Sequence, residues 1–351
     1  MKHYKLKLWL TSLAVLSGCA NNNNQNFNKE DFEKKLRLQC PCTMFSPDQK
    51  EIFNSLKDLD YFVVVPASGV GTQDTIRLEK ATTFGLKISD SCLVNNHILG
   101  AADTDENRFK KFNNAMHTNH KILWSLRGGY GSYRIINSLK KLPKPKHKKI
   151  FVGFSDTTAM SVFIAQNWKN WEVIHAPVFS HLVNFHFHKD SFELLSKILH
   201  GSVKEYSIEN LKPLNTAAQK NKLVQGQITG GNLTMLETSL STSWDIQTKN
   251  KIIFIEDVGE NSDRIYRSLY HLKLAGKFNK VKAIVFGTFS NGYGDIKNAI
   301  KQFANELKIP VYITDQFGHD KINMPIVYNA QSSIHDGKWT IKLPKNWNRY
   351  W

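Results

Sequence analysis

The sequence predicts an α/β protein with an N-terminal doubly wound parallel sheet and a C-terminal mixed α/β domain. Three observations carry this. Short apolar runs, such as Asp-Tyr-Phe-Val-Val-Val-Pro at 60–66, lack the alternation of half-exposed strands and suit strands buried on both faces. These runs alternate with segments of helical spacing, the pattern of βαβ units. The chain has 351 residues, more than one core usually serves, so two domains are expected.

The elements follow in order. Residues 60–66 are the first strand, with a small-residue turn at 67–71 and a helix over 75–84. A strand at 86–93, a helix at 106–117 and a strand at 121–126 come next. The turn Arg127-Gly128-Gly129-Tyr130-Gly131 leads into a helix at 132–139. Strand 149–154 and helix 157–167 complete a run of flavodoxin-like character. Beyond about residue 190 the rhythm changes, with strands at 223–228, 251–255, 283–286 and 311–314. Helices are expected there at 233–240, 264–275 and 296–307. The organisation is therefore an export segment at 1–19, a linker and entry segment at 20–55 and an N-terminal domain at 56–190. An interdomain linker at 191–222 then leads to a C-terminal domain at 223–340. The site is expected in the cleft where the strand ends open.

The N-terminus reads as an export signal. Lys2, His3, Lys5 and Lys7 form a basic head, residues 8–15 are apolar, and Leu16-Ser17-Gly18-Cys19 closes the segment. The apolar stretch is far shorter than the roughly 20 residues that cross a bilayer as a helix. Its ending resembles a bacterial lipobox, which makes Cys19 the expected lipid anchor and first mature residue. The Asn-rich stretch 21–28 suits a solvated tether. Ala20 is not the acidic residue associated with inner-membrane retention, so periplasmic outer-membrane attachment is expected. The net charge of +17 favours anionic surroundings such as head groups, wall polymers or carboxylate-rich peptides. Nucleic acid is disfavoured, since the basic residues are scattered and no recognition motif accompanies them. Cys40-Pro41-Cys42 is too tight for easy bridging and lacks zinc-site spacing, and Cys92 reads as a small core residue.

Gly153-Phe154-Ser155-Asp156-Thr157 lies where a buried strand meets a helix. A nucleophile elbow places its serine at such a turn, exposing the hydroxyl and aiming backbone N–H groups at a developing oxyanion. The match is to Gly-x-Ser-Asp and not the full Gly-x-Ser-x-Gly, and Ser155 equally suits a plain helix N-cap. A serine nucleophile needs a base and an orienting acid. His319, in the loop Phe317-Gly318-His319-Asp320, is the candidate base. Glu256, in Glu256-Asp257 at the end of the apolar run 252–255, is the candidate acid, and Glu260 is its rival.

In chain order, Arg127-Gly128-Gly129-Tyr130-Gly131, Gly153-Phe154-Ser155-Asp156, His175-Ala176-Pro177, Gly230-Gly231-Asn232-Leu233, Glu256-Asp257 and Gly318-His319 resemble the LD-carboxypeptidase family. That family includes muramoyl-tetrapeptide carboxypeptidases and microcin C immunity-type peptidases. The resemblance spans about residues 60 to 326 and implies a Ser155, Glu256, His319 triad. It also implies an oxyanion hole from the Asp156 N–H and the Gly128-Gly129 turn. The implied substrate is a peptidoglycan stem peptide, cut between the L-centre of a diamino acid and terminal D-Ala. No metal or organic cofactor is implied, and family members are typically homodimers. Ala176 stands where glycine is common, and Pro325-Ile326 lacks the glycine that often follows. Arg127 is the candidate for binding the terminal carboxylate, with structural pairing as its other role, and Tyr130 on the same turn is a further substrate contact. Trp244 is the candidate stacking residue in an alternative reading, hydrolysis of a peptidyl-nucleotide. A non-catalytic murein-binding lipoprotein is the third reading and would need no intact triad.

Overall fold

The computed structural model describes residues 45–88, 100–345 and 347. The expectations for the export segment, Cys19, Cys40, Cys42 and Cys92 lie outside these residues, as does most of the strand expected at 86–93. Residues 86–88 are not in a strand.

Strands β1 (Tyr61–Val64), β2 (Ile122–Ser125), β3 (Lys149–Gly153) and β4 (Trp171–His175) run parallel and neighbour each other in that order. Every residue of β2 and β3 is buried, as expected of parallel strands covered on both faces. The second sheet is built from β5 (Glu205–Ile208), β6 (Lys212–Pro213), β7 (Val224–Asn232), β8 (Lys251–Val258), β9 (Ala283–Ser290) and β10 (Val311–Ile313). After β11 (Ile326–Val327), β12 (Gln331–His335) and β13 (Lys338–Lys342) complete it. Its order is β5-β13-β12-β7-β8-β9-β10-β6, with β7 to β10 parallel and the flanking strands antiparallel.

The linker expected at 191–222 is structured, and so is the described end of the segment expected at 20–55. The stretch 191–222 carries most of the helix Lys189–Leu199, both edge strands β5 and β6, and the helix Thr216–Lys220. Its polarity comes from the solvent-facing side of sheet edges, while Phe192, Leu195, Ile198 and Leu199 are buried. Within 20–55 a helix at Pro47–Leu56 buries Ile52, Phe53 and Leu56. It is started by a capping box in which Ser46 and Gln49 satisfy each other's backbone N–H. Strand β4 was also missed, because Glu172 interrupts its apolar run.

The connection after β10 positions the site. β10 belongs to the second sheet, whereas β11 joins the first, antiparallel to β4 with Ile326 opposite His175. The segment between them, which contains His319, therefore crosses from one sheet to the other. The junction is held by Tyr328 N–H to Val173 O (2.9 Å), Asn329 N–H to Ile228 O (2.8 Å) and the Tyr328 hydroxyl to Gly230 O (2.8 Å).

Gly230 is where β7 bends against β8. Its φ is +147°, and a Cβ there would lie 2.0 Å from the Phe254 carbonyl oxygen. Gly230→Ala therefore requires a backbone shift two residues from Glu256. The expected loss is about 3 kcal/mol or more in urea unfolding. A cost below about 1 kcal/mol would show that β7 and β8 can separate locally.

Candidate active site

Ser155 sits at φ +60°, the left-handed region that non-glycine residues seldom adopt, on a one-turn 3-10 segment between β3 and the helix Thr158–Asn167. The chain reverses sharply there, as an elbow requires. Gly128 packs directly on it: a Cβ at Gly128 would come 2.8 Å from the Ser155 Cβ and 3.2 Å from its Oγ. The Arg127–Gly131 turn and the serine are thus in contact because position 128 has no side chain. Gly129 and Gly131 adopt positive φ in the same turn, at +93° and +107°. Peptide N–H groups at the start of a helical turn have no intrahelical partner, which leaves the Asp156 N–H suited to an anion.

The Asp156 side chain has a role that the sequence reading missed. It is buried, and its carboxylate accepts from Gly131 N–H (3.2 Å) and Ser132 N–H (2.8 Å), while the Ser132 hydroxyl donates to the Asp156 carbonyl (2.6 Å). Asp156 therefore binds the serine elbow to the glycine turn. Burial pushes its pKa up, opposed by hydrogen bonds from Ser132 and Gly131 and the charge of Arg108. Arg108, only 1% exposed, braces the turn from beneath. Its guanidinium donates to Gly131 O (2.8 Å), Asp103 O (3.2 Å), Asp105 Oδ1 (2.6 Å) and Pro66 O. The available signal was position: Arg108 shares the buried helix face of Phe112 and Ala115.

Glu256 and His319 meet at the second sheet. Glu256, near the end of β8, is fully buried, and its Oε2 lies 2.6 Å from His319 Nδ1. A proton on Nδ1 leaves Nε2 as the acceptor nitrogen of neutral His319. Burial pulls the His319 pKa down, but the charge and hydrogen bond of Glu256, with the charge of Asp257, raise it above the ordinary value. Phe154, the neighbour of Ser155, lies against the His319 ring with 4.2 Å between centroids. No hydrogen bond joins the Ser155 hydroxyl to His319 among the described residues. Such bonds often tighten only when substrate is bound. Glu260 is directed elsewhere, to Arg264 at 3.3 Å.

Asp257 is a structural neighbour. It accepts from Asn232 Nδ2 (2.7 Å), Val258 N–H (2.8 Å) and the N–H (3.0 Å) and hydroxyl (2.9 Å) of Thr234. Burial first, then the charge of Glu256, pushes its pKa up to about 6. Arg127 is exposed and donates to Gly69 O at 3.2 Å, with no carboxylate partner among the described residues. Tyr130 is exposed beside it and shares a 3.0 Å hydroxyl contact with Tyr133. Trp244 corrects an expectation: it is 3% exposed and part of the core, so its indole offers no face to a ligand. Among the described residues no three His, Cys, Asp or Glu side chains converge as a metal site.

With this geometry in place, the comparisons identify the class. The chain belongs to the LD-carboxypeptidase family: residues 62–176 match its N-terminal domain and 225–334 its C-terminal domain. It is a hydrolase, a serine-type carboxypeptidase. It is 43% identical to a Rickettsia conorii protein named as a carboxypeptidase, across 81% of this chain and 90% of that one. A crystal structure of muramoyltetrapeptide carboxypeptidase from Oxalobacter formigenes is 25% identical, with a TM-score of 0.67 over 80% of this chain and 97% of the other. The microcin C7 self-immunity protein shares the fold at 18% identity, TM-score 0.67, over 81% of this chain and 96% of its own.

His175, at the end of β4, opens the His175-Ala176-Pro177 motif. It is buried between Phe154 and Phe254, at centroid distances of 5.0 and 4.8 Å. Burial, against the opposing charge of Glu256, lowers its pKa to about 4. The stability gained by keeping it neutral is complete above the unfolded value of about 6.5 and is lost as pH falls from there through about 4. The loss is on the order of 3 kcal/mol. Urea unfolding from pH 7 to 4 should therefore show a shallower fall for His175→Phe than for wild type. Parallel curves would contradict a buried neutral His175.

Proposed function

We propose that this protein releases terminal D-Ala from peptidoglycan tetrapeptide stems, with Ser155 as nucleophile, His319 as general base and Glu256 as its orienting acid. The observation that carries the proposal is the buried 2.6 Å Glu256–His319 contact beside a left-handed Ser155. Kinship with a muramoyltetrapeptide carboxypeptidase supports the substrate class. His319 takes the Ser155 proton as Oγ attacks the carbonyl carbon, and Glu256 holds the tautomer and stabilises the imidazolium. N–H groups of Asp156 and the Gly128-Gly129 turn receive the oxyanion. His319 returns its proton to the amine of departing D-Ala, and water then hydrolyses the acyl-enzyme. The peptidyl-nucleotide alternative loses its sequence argument, because Trp244 is buried.

Incubating tetrapeptide muropeptides with the chain and following D-Ala by mass spectrometry tests the reading. Ser155→Ala should abolish release, and Glu256→Gln should lower kcat by about 10³- to 10⁴-fold. Neutral His319 is the reactive form, so wild-type kcat/KM should rise with pH, with a midpoint above the ordinary imidazole value. Glu256→Gln should move that midpoint down, since burial then acts without the carboxylate's charge. Wild-type release by Ser155→Ala, or a crippled Glu260→Gln beside an active Glu256→Gln, would overturn these assignments.

The same proposal places the enzyme outside the cytoplasm, held by a lipid on Cys19. Support comes from the basic head, short apolar run and Leu-Ser-Gly-Cys ending. Wild type should fractionate with membranes, and Cys19→Ala should be released or left unprocessed. Wild type found only in the cytosolic fraction would remove the anchoring proposal.

A further inference from the structure

A short helix, Phe179–Asn184, bridges the two halves of the site. At its start, Ser180 N–H donates to Leu126 O (2.8 Å), next to Arg127. Beyond its end, His188 N–H donates to Lys321 O (2.8 Å), two residues from His319. The turn between is made by Phe185 at φ +50° and ψ +48°. A bulky residue in the left-handed region is strained, and such strain persists where surrounding structure enforces it, often at binding sites. Its consequence is that His186 folds back and stacks on His181, with ring centroids 4.9 Å apart and planes 23° from parallel. His181 also meets Phe154 edge-on at 5.8 Å, the ring that touches His319.

Three groups that can carry positive charge, Arg127, His181 and His186, are thus gathered beside the nucleophile without an acid. Among the described residues none makes an ion pair, and His181 Nδ1 is buried without a partner. Nearby carboxylates are engaged elsewhere. Asp74, on the helix packed along the far side, accepts from Asn184 (2.8 Å), Asp190 pairs with His188 (3.2 Å), and Glu256 pairs with His319. Gln49, which reaches Val183 O from the first helix, is neutral. One fixed positive charge beside two imidazoles that can each add another, with no acid to answer them, suits an anion from outside.

We propose that Arg127, His181 and His186 form the subsite that receives the substrate's terminal carboxylate, with the two imidazoles as specificity residues beside the fixed charge of Arg127. The inference rests on the carboxypeptidase reading. In the free protein, burial and then the charges of His186, His319 and Arg127 hold His181 well below the ordinary imidazole range. Burial and then His319 lower His186. A bound carboxylate reverses that field, so binding draws a proton from solvent onto the imidazole pair.

Calorimetric titration of the Ser155→Ala chain with tetrapeptide, as free acid and as C-terminal amide, tests this between pH 5.5 and 8. Buffers of unlike protonation heat report the protons taken up. The free acid should bind with proton uptake and tighten by up to about tenfold per pH unit lowered, the limit for one linked proton. The amide should show neither effect. Adding His186→Gln, at an exposed position, or His181→Asn should remove the uptake and flatten the pH dependence. Equal binding of acid and amide, acid binding without uptake, no acid binding, or unchanged behaviour in both histidine variants would overturn the subsite. D-Ala release by the wild-type chain is read separately. Release without linked uptake discards the subsite and keeps the reading. Linked uptake without release discards the reading and keeps the subsite.

Discussion

The Glu256 carboxylate has no contact with solvent, and its hydrogen bond to His319 is the constraint around which the site is arranged. A charge removed from water costs several kcal/mol unless a well-placed partner compensates. That requirement fixes the segment between β10 and β11, which must leave the second sheet, place His319 over the end of β8 and then join the first sheet beside β4. Phe154 passes the constraint on, because its ring lies against His319 and the next residue is Ser155. The two sheets are therefore joined at the place where Glu256, His319 and Ser155 come together.

A second set of ties shapes the oxyanion side. Ser155 is held in a conformation that costs of order 1–3 kcal/mol, and the hydrogen bonds of Asp156 to the Gly131-Ser132 turn offset that strain. Arg108 ties the same turn, through Gly131 O, to Pro66 O, Asp103 O and Asp105. Charge is sorted by depth: Glu256 and Asp257 lie buried behind His319, while Arg127 is exposed beside Ser155. Positive charge thus faces the solvent, while the buried acids lie behind the imidazole.

Much of this was legible in the sequence, for physical reasons. The interiors of β1, β2, β3, β8, β9 and β10 are nearly continuous apolar runs, and their alternation with helices marks parallel sheets. The Glu256–His319 pair and the sharp turn at Ser155 are legible because each residue follows or ends such a run, where side chains reach a cleft. Side chains that act through tertiary contact were not. Asp156 looked like a helix-start acid, because its bonds to Gly131 and Ser132 span more than twenty residues. Nothing local sets Arg108 apart from the other cations of a basic chain, because its partners Pro66 and Gly131 come from distant turns. His181 and His186 are ordinary at five residues apart until Phe185 turns left-handed and stacks them. Trp244 runs in the opposite direction: an aromatic side chain suited to stacking is packed into the core, and its type alone does not reveal what covers it.

Rapid-quench intact-mass measurement, with wild-type chain mixed with tetrapeptide, tests Ser155 as the nucleophile most directly. The expected result is a transient adduct of tripeptide-acyl mass, mapped to Ser155 and formed as D-Ala appears. Release of D-Ala with no adduct at Ser155 at any quench time, or with an adduct on another residue, would contradict it.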